Sequence, residues 1–290
     1  MDESVYKELG KGRSIFYGWG EAMHTRIDVI LCHRPQEQCE AAVRGIVAEL
    51  KRIEKMISRF DPSSDIARIN ALAAHQPVAV DPETLEILLS ALRFGAKTDC
   101  RFDVTHASAK GKPNERLYLD PARRQVLFKV KGVEVDLGGY GKGYALQKVQ
   151  EKLLVDGWTD YLLNFGNSTV CARGDRPGGE GWCIGVENQL RAGSNALELT
   201  LRNQSLNTSG NTGQHSNHIY SADRDGYIGG LGSVSVVTDG PLEGEVLSTA
   251  LFSALDGGRG EDVSFTTRFP GARAYGIDYA SGSPVVNVLL

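Results

Sequence analysis

With 290 residues, 41% of them hydrophobic and 23% charged, the chain can bury a sizeable core as one large domain or two intimately packed ones. A net charge of −4 without any Lys/Arg cluster argues against a nucleic-acid partner, and no apolar run is long enough to cross a bilayer. Five unevenly spaced cysteines (Cys32, Cys39, Cys100, Cys171, Cys183) and the polar start MDESVYKELGKG argue for reduced thiols in a cytoplasmic chain, or in an exported form whose signal has been removed.

In chain order, the branched residues from Arg26 to Cys32 predict a strand, preceded by Ala22-Met23-His24-Thr25. From Gln38 to Met56, apolar Val43, Ile46, Val47, Leu50, Ile53 and Ile57 recur at helical steps and predict an amphipathic helix packed on a sheet. Ser58 to Asn70 reads as a Pro/Ser turn and a short helical turn capped by Ser63 or Ser64, and capping alone suffices to explain Ser63, Ser64 and Asp65. Asp81-Pro82-Glu83 opens another helix, with Leu85, Leu88, Leu89 and Leu92 as its buried stripe. Phe102 to His106 reads as extended or turn, Lys110 to Arg116 as polar and unpatterned, and short strands are expected around Tyr118 and from Gln125 to Val130.

The most informative stretch is Val133-Glu-Val-Asp136-Leu-Gly138-Gly139-Tyr-Gly141-Lys142-Gly143-Tyr144-Ala145. Alternating Val133 and Val135 predict a strand, and four glycines within six residues then let the backbone turn tightly and approach a ligand closely. Lys142 stands where a helix begins that runs to Gly157. Free N–H groups, the positive end of the helix dipole and an ammonium then face one place, which suits a phosphate or pyrophosphate. The spacing fits neither a Walker A loop nor GxGxxG, and a tight connection with a solvated lysine is the alternative.

Farther on, Tyr161 to Cys171 reads as a strand broken at Gly166, as if its backbone faced a ligand. Asp175 to Gly181 reads as a hairpin loop joining that strand to Trp182–Val186, and residues 196–203 as a further strand. A long glycine- and hydroxyl-rich loop is expected to begin at Leu206 and run through His218 and Asp223 to Gly232. A strand from Ser233 to Thr238, a helix from Leu242 to Leu255, and strands over 273–279 and 284–290 complete an α+β reading. Antiparallel sheets carry helices on their faces.

Five stretches in this order resemble the ApbE family of flavin transferases: AMHT; SRFDPSSDIARIN; RFDVT; VDLGGYGKGYA with NFGN after it; and LNTSGN followed by SVSVVTDGPLEGEVLSTALF. The resemblance implies a single domain over 1–290 with a T-fold-like architecture. It implies a Mg²⁺-dependent enzyme that cuts the FAD pyrophosphate and attaches FMN to a Thr or Ser hydroxyl of an acceptor flavoprotein. Alternatives are hydrolysis of FAD to FMN and AMP, or a flavin-binding homologue with impaired catalysis. By resemblance, Glu245, Thr249 and the carbonyl of Gly141 would hold the metal, Lys142 the phosphate, and Asp136 would orient the turn at Gly138 and Gly139. Met23, Phe102, Asp103, Thr105 and Tyr144 would line the cofactor pocket, with Gly166, Ser209 and Gly210 also facing the flavin. His218 would assist proton removal from the acceptor. Core packing is the alternative for Met23 and Phe102, a solvated helix face for Glu245, and a surface position for His218.

The chain departs from that pattern at His24, where the family has glycine and an imidazole could crowd the cofactor, and at Glu245, where it has aspartate. Asn167 and Gln147 stand in place of glycine and aspartate, His218 to Asp223 is out of register, and the region between Thr105 and Leu127 is short. These changes cluster on the metal and catalytic side. They are expected to lower catalysis more than binding.

Overall fold

A computed structural model describes residues 4–105, 112–212, 219–221, 226–254 and 263–290. The chain opens with a hairpin, β1 (Val5–Gly10) and β2 (Arg13–Ala22), then β3 (Thr25–Cys32), α1 (Gln36–Ile57) and α2 (Asp65–Leu72). Next come β4 (Val78–Ala79), α3 (Pro82–Lys97), a helical turn α4 (Pro113–Arg116), β5 (Leu117–Asp120) and β6 (Gln125–Phe128). Helix α5 (Gly141–Val155) precedes β7 (Tyr161–Phe165), β8 (Thr169–Arg173), β9 (Trp182–Glu187), β10 (Asn195–Leu201) and β11 (Gln204–Asn211). The chain continues through β12 (Tyr220–Ser221), β13 (Gly226–Tyr227), β14 (Gly232–Thr238), α6 (Pro241–Ala254), α7 (Val263–Arg268), β15 (Arg273–Asp278) and β16 (Val285–Val288).

Nine strands form one sheet in the order β1-β2-β3-β7-β8-β11-β14-β15-β16, and every neighbouring pair is antiparallel. The period-two alternation of strand side chains divides the core between its two faces. Ile27, Val29, Leu31, Cys171, Val234 and Val236 face a large core shared with α1, α3, α5 and α6. Cys32, Val170, Ala172, Leu206 and Val237 face the opposite side, where Trp182 and Val186 of β9 and Leu201 of β10 cover them. No described helix is long and apolar enough to cross a membrane.

The helix signals translate directly. The buried stripe of α1 is Cys39, Val43, Ile46, Leu50, Ile53 and Ile57. Ser64 caps α2 by accepting the Ala67 N–H at 2.9 Å, and Asp81 caps α3 by accepting that of Glu83 at 2.8 Å.

Three strand expectations are corrected. Residues 133–136 join no sheet. Instead, the side-chain amide of Asn70 donates to Val135 O (2.9 Å) and accepts its N–H (2.7 Å), standing in for a partner strand. The sequence around Leu206 is not the start of a loop: β11 lies in the sheet between β8 and β14. Finally, β9 does not pair with β8. It leaves the main sheet and pairs with β10 alone.

All five cysteines are free, but they are not equally available. Burial pushes the thiols of Cys32 and Cys171 up to about 12 and that of Cys39 to about 11, so almost none of each is thiolate at neutral pH. Cys183 is exposed. A thiol-reactive chromogen at pH 8 is therefore expected to label Cys183 first and to reach Cys32, Cys39 and Cys171 only on unfolding; prompt labelling of any of these three would contradict the packing.

Candidate active site

The site is built where α5 and α6 meet above the sheet. At the turn before α5, the Asp136 carboxylate accepts the Gly138 N–H at 2.8 Å and pairs with Arg59 at 2.9 Å. The Asp136 N–H donates to Val104 O at 2.8 Å, which fastens the turn to the 102–105 segment. First-turn amides of a helix lack intrahelical acceptors. Here the Gly141 N–H goes to Leu137 O and the Tyr144 N–H to Tyr140 O, leaving those of Lys142 and Gly143 at the helix start. No acidic side chain occupies that first turn.

Helix α6 docks on α5 with almost no space between them. A Cβ on Gly143 would lie 2.6 Å from Glu245 Cβ and 2.8 Å from Pro241 O, and one on Gly139 would lie 3.4 Å from Thr249 Oγ1. This approach sets Lys142 Nζ 3.2 Å from Glu245 Oε1. The other oxygen, Glu245 Oε2, accepts from Thr169 Oγ1 at 2.7 Å and Asn207 Nδ2 at 3.0 Å. One turn along, Thr249 Oγ1 donates to Glu245 O at 3.0 Å, and Ser209 Oγ lies 2.8 Å from Ser248 Oγ and 3.1 Å from Thr249 Oγ1. An ammonium, the start of α5 and a line of hydroxyls on α6 and β11 thus lie close together. That combination can neutralise and orient a phosphorylated ligand.

The structure therefore gathers Asp136, Gly138, Gly139, Gly141, Lys142, Ser209, Glu245 and Thr249. The remaining expected residues are engaged otherwise. Asp103 is buried and accepts from Arg116 Nη1 (2.7 Å) and from the Thr105 hydroxyl and N–H (2.7 Å each). Phe102 is buried beneath the turn, 6.3 Å from the Tyr140 ring. The Tyr144 hydroxyl points to the α1–α3 side, donating to Glu83 Oε1 at 2.9 Å, and burial together with that bond holds it protonated far above the usual phenol range.

Met23 and His24, both at positive φ, form the two-residue β2–β3 turn. The His24 side chain is 88% exposed and does not crowd a pocket. Gly166 takes positive φ in the β7–β8 turn against Thr25, and Gly210 lacks a side chain where β14 presses on it at Ser233. His218 and Asp223 lie outside the described residues.

Thr169, Asn207, Ser248, Arg59 and Arg116 were missed by sequence reasoning. Arg59 sits in the SRFDPSS stretch, where the turn, the caps and the family resemblance single out no role for it. Thr169 and Asn207 carried a usable signal, because polar residues inside apolar strands need a partner. The Arg116–Asp103 pair is almost wholly buried, at 6% and 5% side-chain exposure. Arg116→Met strips a buried carboxylate of its guanidinium and is expected to cost about 3–5 kcal/mol in urea unfolding. A loss below about 1 kcal/mol would place the pair in water.

Of the donors expected for Mg²⁺, Glu245 and Thr249 do share one helix face beside the turn. The carboxylate nevertheless does not fit the ion as it lies. Oε1 faces an ammonium and Oε2 already accepts two hydrogen bonds, whereas Mg²⁺ needs hard oxygens in near-octahedral order. Among the described residues no group of three or more His, Cys, Asp or Glu side chains could hold a metal.

Comparison with known proteins adds findings of three kinds. The ApbE family profile matches residues 23–259. A Klebsiella pneumoniae protein named FAD:protein FMN transferase is 26% identical over 248 residues, spanning 73% of this chain and 75% of its own length. A Chlamydia muridarum protein of the same name is 26% identical over 198 residues, but the match spans only 60% of either chain. Among solved structures, the flavin transferase ApbE from Vibrio cholerae superposes with a TM-score of 0.77 at 18% identity, covering 99% of this chain and 97% of that one. The apo flavinyl transferase ApbE from Pseudomonas stutzeri gives 0.79 at 20% identity, covering 97% and 96%. At such identities the superpositions speak for the fold.

Proposed function

We propose a function from one premise, that the chain belongs to the ApbE family: it transfers FMN from FAD to a Thr or Ser hydroxyl of an acceptor flavoprotein. The observation that carries this reading is the glycine turn at the α5 start, packed on α6 so that Gly139 lies beside Thr249 and Lys142 beside Glu245. FAD would lie with its diphosphate over Gly138 to Lys142.

The acceptor oxygen attacks the FMN phosphorus, the new P–O bond forms, and the bond to the bridging oxygen breaks so that AMP departs with that oxygen. Lys142 and the amides of Lys142 and Gly143 would neutralise charge growing on the diphosphate oxygens. The acceptor proton goes to a base, the role proposed for His218. Asp136, tied to Arg59 and Gly138, would keep the turn in shape, and Ser209 and Thr249 would face the ligand. The family resemblance puts Mg²⁺ at this site, but Glu245 as placed offers it no free carboxylate oxygen. Charge neutralisation in this reading falls to Lys142 and the amides.

The test is to incubate the purified chain with FAD and a Thr-containing acceptor peptide, with and without MgCl₂. A fluorescent, FMN-bearing peptide is the expected result. Free FMN plus AMP would make the chain a pyrophosphohydrolase, and bound, intact FAD would make it a flavin binder; either would overturn the transferase reading.

A further inference from the structure

The geometry points to a different part for Glu245: it is the fixed counter-ion of Lys142, anchored by Thr169 and Asn207, and it competes with the diphosphate for that ammonium. The inference rests on reading Lys142 as the phosphate-binding cation.

The anchoring is built into the sheet. Thr169 on β8 and Asn207 on β11 are directly opposed across the strand pair, and both are fully buried. Cross-strand neighbours on one face lie close enough to serve a single atom. Their donors converge on Glu245 Oε2, at 2.7 and 3.0 Å. Gly244 lets α6 descend onto this floor, because a Cβ there would strike Asn207 Oδ1 and Thr238 Oγ1.

Glu245 is therefore held from below by two neutral donors that stay in place when Lys142 moves. Among the described residues Oε1 sees only the ammonium, at 3.2 Å. Lys142 is 28% exposed on a flexible stem, so it can turn from carboxylate to phosphate, whereas the carboxylate cannot follow. To ligate a metal through Oε2, Glu245 would have to abandon Thr169 and Asn207 and leave two buried donors unpaired; through Oε1 it would have to displace the Lys142 ammonium. A counter-ion that stays behind weakens the grip on phosphate and neutralises the ammonium when no phosphate is bound.

The decisive measurement is FAD affinity by flavin fluorescence, in EDTA and in MgCl₂, for the parent chain and Glu245→Gln. The variant is expected to bind FAD roughly three- to tenfold more tightly, by the same factor in both buffers. Weaker binding confined to MgCl₂ would make Glu245 a metal ligand and overturn the proposal. Unchanged or equally weakened binding in both buffers would overturn it too, since that is what a merely structural carboxylate gives.

A melting cycle in EDTA without flavin reads the ion pair separately. Lys142→Met should lower the unfolding temperature, and adding Glu245→Gln should restore most of the loss; simply additive losses would overturn the pairing. A parent chain that binds no FAD in either buffer would sink the phosphate reading of Lys142, and with it the competition, while the cycle still decides the ion pair.

Discussion

Lys142→Ala is expected to weaken FAD binding about 100-fold. Two effects act in the same direction. A charge-assisted hydrogen bond to phosphate contributes about 1.5–3 kcal/mol, and its loss accounts for most of the change. In addition, Glu245 Oε1, 3.2 Å from the ammonium in the parent chain, would then face the diphosphate as an uncompensated like charge. Lys142→Ala combined with Glu245→Gln should accordingly bind better than Lys142→Ala alone. Titration of flavin fluorescence against each protein gives both numbers, and an affinity within threefold of the parent would take Lys142 off the phosphate.

The second large effect concerns folding. Alanine is a better helix former than glycine by about 1 kcal/mol, so both Gly141→Ala and Gly143→Ala gain the same propensity in α5. Their surroundings differ. At Gly141 the new Cβ meets Ile57 Cδ1 at 2.8 Å, the far end of a flexible side chain that can rotate away. At Gly143 it meets Pro241 O at 2.8 Å and Leu242 Cα at 3.1 Å, which are backbone, besides Glu245 Cβ at 2.6 Å. Helices α5 and α6 must separate to admit it, and the overpacking is expected to outweigh the propensity gain by about 2–3 kcal/mol. Urea unfolding should show Gly143→Ala clearly destabilised and Gly141→Ala within about 1 kcal/mol of the parent. Equal midpoints would mean that the two helices are not in contact there.

These contrasts show which parts of the fold are legible from sequence. The apolar period of α1 and the Asp81-Pro82 and Ser64 caps act locally, and each is visible in a window of a few residues. The glycine turn was also legible, because few other patterns combine close backbone approach with a lysine at a helix start. What stayed hidden depended on distant partners. Val133 to Asp136 alternates like a strand, but the N–H and C=O of Val135 are taken by Asn70 and the Asp136 N–H by Val104, both far away in the chain.

LNTSGN looks like a loop because it is small and polar, yet those residues suit a central strand pressed from two sides. Gly210 makes room for Ser233 of β14, and Asn207 lies beneath Gly244 of α6. The burial of Glu245 was equally invisible. On a helix an acidic residue is ordinarily solvated, and only the convergence of Thr169, Asn207 and Lys142 pays for keeping this one inside.

The first and last strands of the main sheet, β1 and β16, lie at its opposite edges. Eight interstrand steps of about 4.8 Å put them roughly 38 Å apart before twist is allowed for. Joining the two edges in a circular permutant would need a linker of about a dozen extended residues, and a reporter fused beyond β16 would stand a full molecular width from one fused ahead of β1.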